Sequence, residues 1–350
     1  MLHFLFNFGR GLLLCLLCAG ATAAPLRLDI HGLATLGPQV GIVFDLVDGD
    51  GPSNQVLLSG FSTDGTLALG AAQGDVSGAL PGPFLLRDTQ LLNSLLLVAS
   101  GADRFAVNFA DSGVPPQAGG FADSFAAYLV DLQTGLPLPT TDPSGSGALF
   151  ARFIDGSPVA VYQPLDAPGL SWTVQPADIV PLPVAPTLAL FGVGLAGLLW
   201  LRRRGGNWAL LVLACLAGYS SAAPAADLAG IVQVERSGFL YNRNSDTFDT
   251  TVTLHNISPD PVSGPLRLVL GQPKPSSVAA FQADGRLEDG REFVQVPLAD
   301  GLLAPGARAS VLLKLLNPSR QAPRMELSAD GEPLPPAARG PGRVGAGGAG

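Results

Sequence analysis

The stretch from Val184 to Leu201 carries no charged residue, ends on Arg202-Arg203-Arg204, and divides the chain into two parts of different composition. Its eighteen residues would reach roughly 27 Å as a helix at about 1.5 Å per residue, close to the hydrocarbon thickness of a bilayer. A buried core helix is the competing reading, but core helices rarely end on three adjacent arginines. Under the positive-inside rule that cluster stays cytoplasmic, leaving residues 24–183 outside. Two folded parts flanking a membrane-directed segment also suit 350 residues, at about 100 to 200 per domain.

Two further apolar segments flank these parts. Residues 1–23 place Arg10 before an uncharged run and finish on Ala21-Thr22-Ala23, the form of a secretory signal peptide that signal peptidase cuts before Ala24. Leu16-Leu17-Cys18 lacks the small residue that lipoprotein processing needs. In residues 205–226, the run from Trp208 to Gly218 is too short for a comfortable span but matches the core of a second signal peptide, with Ala223-Pro224-Ala225 following. Such an order fits two exported proteins joined head to tail, and a translocated helical hairpin would give the same topology. All three cysteines, Cys15, Cys18 and Cys215, lie inside these segments. The folded parts therefore offer no disulfide, thiolate zinc site or cysteine nucleophile.

Elsewhere 44 Gly and 31 Pro break any long helix and favour turns, so the chain reads as all-β with no helix beyond the apolar segments. From 25 to 179 there are fifteen Asp against four Arg, with no Glu or Lys. A surface of that sign repels nucleic acid and anionic lipid. From 227 to 327 the eleven acids and ten bases nearly balance.

In residues 24–179, Leu26, Leu28 and Ile30 alternate with Arg27, Asp29 and His31, the period of a half-buried strand. Similar runs at 39–46, 55–61, 104–109, 124–131 and 148–154 are separated by turn signals such as Thr63-Asp64-Gly65 and Asp155-Gly156. Eight to ten short strands at this spacing predict an antiparallel β-sandwich of jelly-roll type. In residues 227–328, runs at 251–255, 265–270, 292–298 and 310–316 predict a sandwich of about seven strands, like immunoglobulin or fibronectin domains. Residues 329–350, rich in Pro, Gly, Ala and Arg, read as a disordered tail.

Candidate sites are sparse. Asp48 and Asp50 alternate in a glycine loop with Asn54 nearby, and these oxygens can offer a hard site to calcium. The plainer reading is a hairpin turn selected for positive φ, since an EF-hand would need a Glu that residues 24–179 lack. His31 lies on a polar strand face and is solvated, so a Ser/His/Asp site has little to build on. Paired Asp can hydrolyse glycosides, yet the Asp residues mostly occupy turns, and the expectation is that the chain is not an enzyme and needs no cofactor. His255 points outward opposite Val252 and Leu254. Asn256-Ile257-Ser258 has the form of a glycosylation sequon but reads as turn chemistry.

Val180-Pro181-Leu182-Pro183, the uncharged span and Arg202-Arg203-Arg204, in that order, resemble the PEP-CTERM sorting signals of the VPLPA type. Leu182 stands where the parent motif has Glu, and this chain continues past the arginines where family members normally stop. Phe44-Asp45-Leu46-Val47-Asp48-Gly49, Gly74-Asp75-Val76-Ser77-Gly78 and Thr140-Thr141-Asp142-Pro143 resemble an uncharacterised family of secreted proteins carrying such signals, over 25–204. Thr250-Thr251-Val252-Thr253-Leu254-His255-Asn256 and Leu303-Ala304-Pro305-Gly306 look like immunoglobulin-like modules of bacterial surface proteins, which act as spacers or adhesive units. The resemblance implies processing by an exosortase-type membrane protease, contact with membrane lipid, and a final place at the cell surface, in the envelope or in an exopolysaccharide matrix. A calcium- or carbohydrate-binding adhesin is the alternative, and a secreted hydrolase the third.

Overall fold

The computed structural model describes residues 24–49, 53–116, 120–177 and 230–333. The expected signal peptide, the sorting segment with Val180, Pro181, Leu182, Pro183, Arg202, Arg203 and Arg204, and the segment 205–226 lie outside the described residues, as does Asp50. Among the described residues no helix is long and apolar enough to cross a membrane. One short 3-10 turn, Leu33–Leu36, interrupts an otherwise all-β arrangement.

Two antiparallel six-stranded sheets form the first unit. One runs, edge to edge, Ser171–Pro176, Leu26–His31, Arg104–Asp111, Gln55–Thr63, Phe84–Arg87 and Asp75–Gly78. The other runs Ala160–Val161, Ala148–Phe153, Ser124–Val130, Gln39–Val47, Leu92–Ser100 and Thr66–Gln73. Period-2 alternation sends Leu28 and Ile30 inward and leaves His31 exposed. Arg27 and Asp29 pair at 3.0 Å on the opposite face. A single apolar cluster joins residues of both sheets, with Phe44, Phe105, Phe109, Phe125 and Phe150 at its centre. Phe109 and Phe150 stack across the sheets at 4.9 Å, and burying each such ring stabilises the fold by about 1.5–3 kcal/mol.

The second unit has two five-stranded antiparallel sheets. In one, Thr247–Asn256 lies between Val232–Arg236 and Arg308–Leu316. In the other, Val262–Leu270 pairs with Glu292–Val296 and Leu327–Pro333. That last strand carries the unit past the expected boundary at 328, because Leu327 and Ala329 supply apolar contacts that the tail composition conceals. Val252 and Leu254 are buried while His255 is only partly so, as the alternation predicts. Asn256 is buried with its amide bonded to the carbonyls of Asp260 and Leu303, which makes the sequon a turn element.

Two central strands of the first unit, Gln39–Val47 and Ser124–Val130, are buried along nearly their whole length. Their inward residues, such as Ile42, Phe44, Phe125 and Leu129, fill the first core. Their outward residues meet the second unit. Val47, with Leu91, Leu92 and Phe121, belongs to the second unit's apolar cluster, and Val43, Ala126 and Tyr128 pack with Leu240. Phe121 and Phe239 approach to 4.3 Å between centroids, and Arg236 lies 4.0 Å over the Phe121 ring. The two units therefore share buried apolar surface among the described residues.

Candidate metal centre

Three loops of the first unit end at one place. Asp48 follows the strand Gln39–Val47, Asp88 follows Phe84–Arg87, and Asp123 precedes Ser124–Val130. One carboxylate oxygen from each lies within 4.8 Å of the others. Asp88 and Asp123 are buried, and Asp48 is partly so. Pairing of Gln39–Val47 with Ser124–Val130, which sets Val47 opposite Ser124, brings Asp48 beside Asp123. Asp88 is delivered by the other sheet, and its N–H donates to the Asn54 carbonyl at 3.2 Å.

Hydrogen bonds hold the Asp88 and Asp123 carboxylates in place. Asp123 Oδ1 accepts from the Gly49 N–H at 2.7 Å and its Oδ2 from Asn54 Nδ2 at 2.6 Å. Asp88 Oδ2 accepts from the Asn54 N–H. The other Asp88 oxygen, Oδ1, is buried and has no hydrogen-bond partner. Burial pushes the Asp88 carboxyl up to about 6, and the neighbouring Asp123 charge adds to it. Gly49 is required by a close approach: a Cβ there would lie 2.2 Å from the Phe121 carbonyl oxygen.

Of the residues singled out for calcium, Asp48 is in this cluster. Asn54 stands beside it as a donor that orients Asp88 and Asp123, while its own Oδ1 accepts from Ser112 Oγ at 2.5 Å and the Val114 N–H at 3.1 Å. Asp88 and Asp123 were not legible as partners, because they lie 40 and 75 residues beyond Asp48. One signal was present: Asp123 interrupts the apolar run Phe121-Ala122-Asp123-Ser124-Phe125, an odd place for a turn acid.

No family model, curated protein or solved structure matches this chain. What the cluster can do therefore follows from its own chemistry. Three carboxylates and no His or Cys make an all-oxygen donor set, which suits hard cations. Asp88 and Asp123 are 6% and 2% exposed, so a glycosidic bond cannot be laid between them as hydrolysis would require.

Among the described residues Asp111 Oδ1, His255 Nδ1 and Arg267 Nε are also buried without a hydrogen-bond partner, whereas two other polar clusters are satisfied within themselves. Asp142 accepts from the N–H groups and hydroxyls of Ser144 and Ser146, which closes its loop. The open cleft of the second unit carries Arg286, Asp289, Arg291 and Glu292, and these pair among themselves at 2.8 and 2.7 Å. His31 is exposed, and His255 Nδ1 sits 3.8 Å from Glu235.

Between the units, Asp45 is fully buried and faces Arg243, whose Nη1 and Nη2 donate to its two oxygens at 2.6 and 2.8 Å. Ser124 Oγ donates to the Phe239 carbonyl. Asn242 Nδ2 and Lys314 Nζ both reach the Ser144 carbonyl, at 3.2 and 3.1 Å. Lys314 is also 3.3 Å from the buried Asp249.

Proposed function

We propose that this chain is an exported, membrane-sorted protein of the cell surface or envelope, processed through a PEP-CTERM-type signal and serving as a non-catalytic scaffold. The observation that carries the reading is where the first unit begins and ends. Its first strand, Leu26–His31, pairs with its last, Ser171–Pro176, and the Ala177 N–H donates to the Pro25 carbonyl at 2.9 Å. The folded unit thus closes one residue after the signal-peptidase site before Ala24, and three residues before Val180 opens the sorting box. A structural unit framed by two processing signals is what a sorted, secreted domain requires.

In the first unit the first strand pairs with the eighth, the second with the seventh and the third with the sixth. Rolling up one long folded hairpin gives that pairing, which supports a jelly roll. In the second unit, Val232–Arg236, Thr247–Asn256 and Arg308–Leu316 share a sheet while Val262–Leu270 crosses to pair with Leu327–Pro333, an order that supports an immunoglobulin- or fibronectin-like sandwich.

Isolation of the protein from its native envelope, followed by sequencing of every fragment end, tests the proposal. Ends near Ala24, just beyond Pro183 and around Ala225 are expected. A full chain starting at Met1 and uncut between 180 and 226 would overturn it.

A further inference from the structure

The three loops that bring Asp48, Asp88 and Asp123 together also carry the residues that touch the second unit. Asp48 follows Val47, and its N–H donates to the Leu91 carbonyl at 2.9 Å. Asp88 lies three residues before Leu91. Asp123 sits between Phe121, packed at a tilt against Phe239, and Ser124, bonded to the Phe239 carbonyl. Val47, Leu91, Leu92 and Phe121 are the first unit's contribution to the apolar cluster it shares with the second.

We infer that Asp48, Asp88 and Asp123 bind one divalent cation of the calcium class, and that this cation governs how tightly the two units hold together. Oxygens bound to one calcium at about 2.4 Å lie no more than about 4.8 Å apart, and the three carboxylates meet that limit. A second observation points to a ligand: Asp88, 6% exposed, carries an oxygen, Oδ1, with no hydrogen-bond donor. A buried carboxylate oxygen without a donor is unfavourable, and a cation satisfies it. Calcium fits better than magnesium, because calcium tolerates irregular, oxygen-rich coordination while magnesium demands near-ideal octahedra and keeps its water. Filling the site fixes the three loops relative to one another, and so presents Val47, Leu91 and Phe121 as one rigid surface. Removing it leaves carboxylates that repel each other beneath that surface.

Nothing in this inference depends on export, so its test and the test of processing fail separately. The full chain, purified in detergent and stripped with EDTA, is titrated calorimetrically with calcium chloride and, separately, magnesium chloride. One calcium per chain is expected, bound at least about tenfold more tightly than magnesium. Asp88→Asn, which keeps an acceptor for the Asn54 N–H, and Asp48→Asn should each weaken calcium uptake about tenfold or more while the chain still folds. Absence of uptake at millimolar calcium, equal affinity for magnesium, or unaltered uptake by both variants would overturn the site. For the second half, a specific protease site is inserted after Arg204 and cut. The halves should co-elute in calcium, and EDTA should weaken their association about tenfold or more. Association that is the same in calcium and EDTA would overturn the clamp.

Discussion

Asp45 shows how one residue links the sequence to the assembly. It sits in the run Val40-Gly41-Ile42-Val43-Phe44-Asp45-Leu46-Val47, where a charge is out of place unless something answers it. Arg243 answers from 198 residues away. Burial works against the Arg243 charge, and the facing Asp45 carboxylate outweighs it, so the guanidinium's pKa is raised. Arg243→Ala leaves Asp45 buried and unpaired and is expected to destabilise the protein by about 3–5 kcal/mol. Asp45→Leu added to Arg243→Ala should recover most of that loss in denaturant titrations, since an apolar pair does not need a counter-charge. If the double variant is as unstable as the single, the cost lies elsewhere. The carboxylate cluster was legible only in part at this scale. Asp48 stood out by its glycine loop, Asp88 looks like any turn acid, and Asp123 is only an acid oddly placed in an apolar run until the sheets are paired. Long-range pairing, which no local spacing encodes, assembles the three.

Among elements, the strands with clean alternation were readable in advance: Leu26–His31, Gln55–Thr63 and Arg104–Asp111 fall where the pattern put them. Thr66–Gln73 was not, because Gly70 and the small Ala71-Ala72 pair that follows break the alternation begun by Leu67 and Leu69. The largely apolar runs of Gln39–Val47, broken by Asp45, and Ser124–Val130 held more information than a strand assignment used. Burial on both faces removes alternation, and here the second face is covered by the second unit. Gly238 belongs to that contact, since a Cβ on it would lie 2.3 Å from the Ala122 carbonyl oxygen. Gly238→Ala should therefore destabilise by about 1–3 kcal/mol and lower the cohesion of the units, read as reduced co-elution after the chain is cut between them. Trp172 plays the matching part within the first unit: it is 3% exposed and its indole N–H donates across the sheets to the Leu149 carbonyl at 3.1 Å. Trp172→Ala should cost about 3–5 kcal/mol by thermal or denaturant unfolding, whereas Leu136→Ala, at an exposed position in a turn, should cost under about 0.5 kcal/mol.

For the molecule as a whole, composition was enough for an all-β chain in two parts, because Gly and Pro exclude long helices and the charge balance changes at mid-chain. It could not reveal that the parts are joined. The contact uses the outer face of the first unit's central strands, an ion pair split between the units, and an acidic cluster seated beneath the contact. Each would be costly to leave exposed or unpaired, so the described residues should unfold as one body. Differential scanning calorimetry of the full chain in detergent with millimolar calcium measures this most directly. A single endotherm is predicted, which Arg243→Ala splits into two. Two separate endotherms in the unaltered protein, at temperatures that Arg243→Ala leaves unchanged, would contradict it.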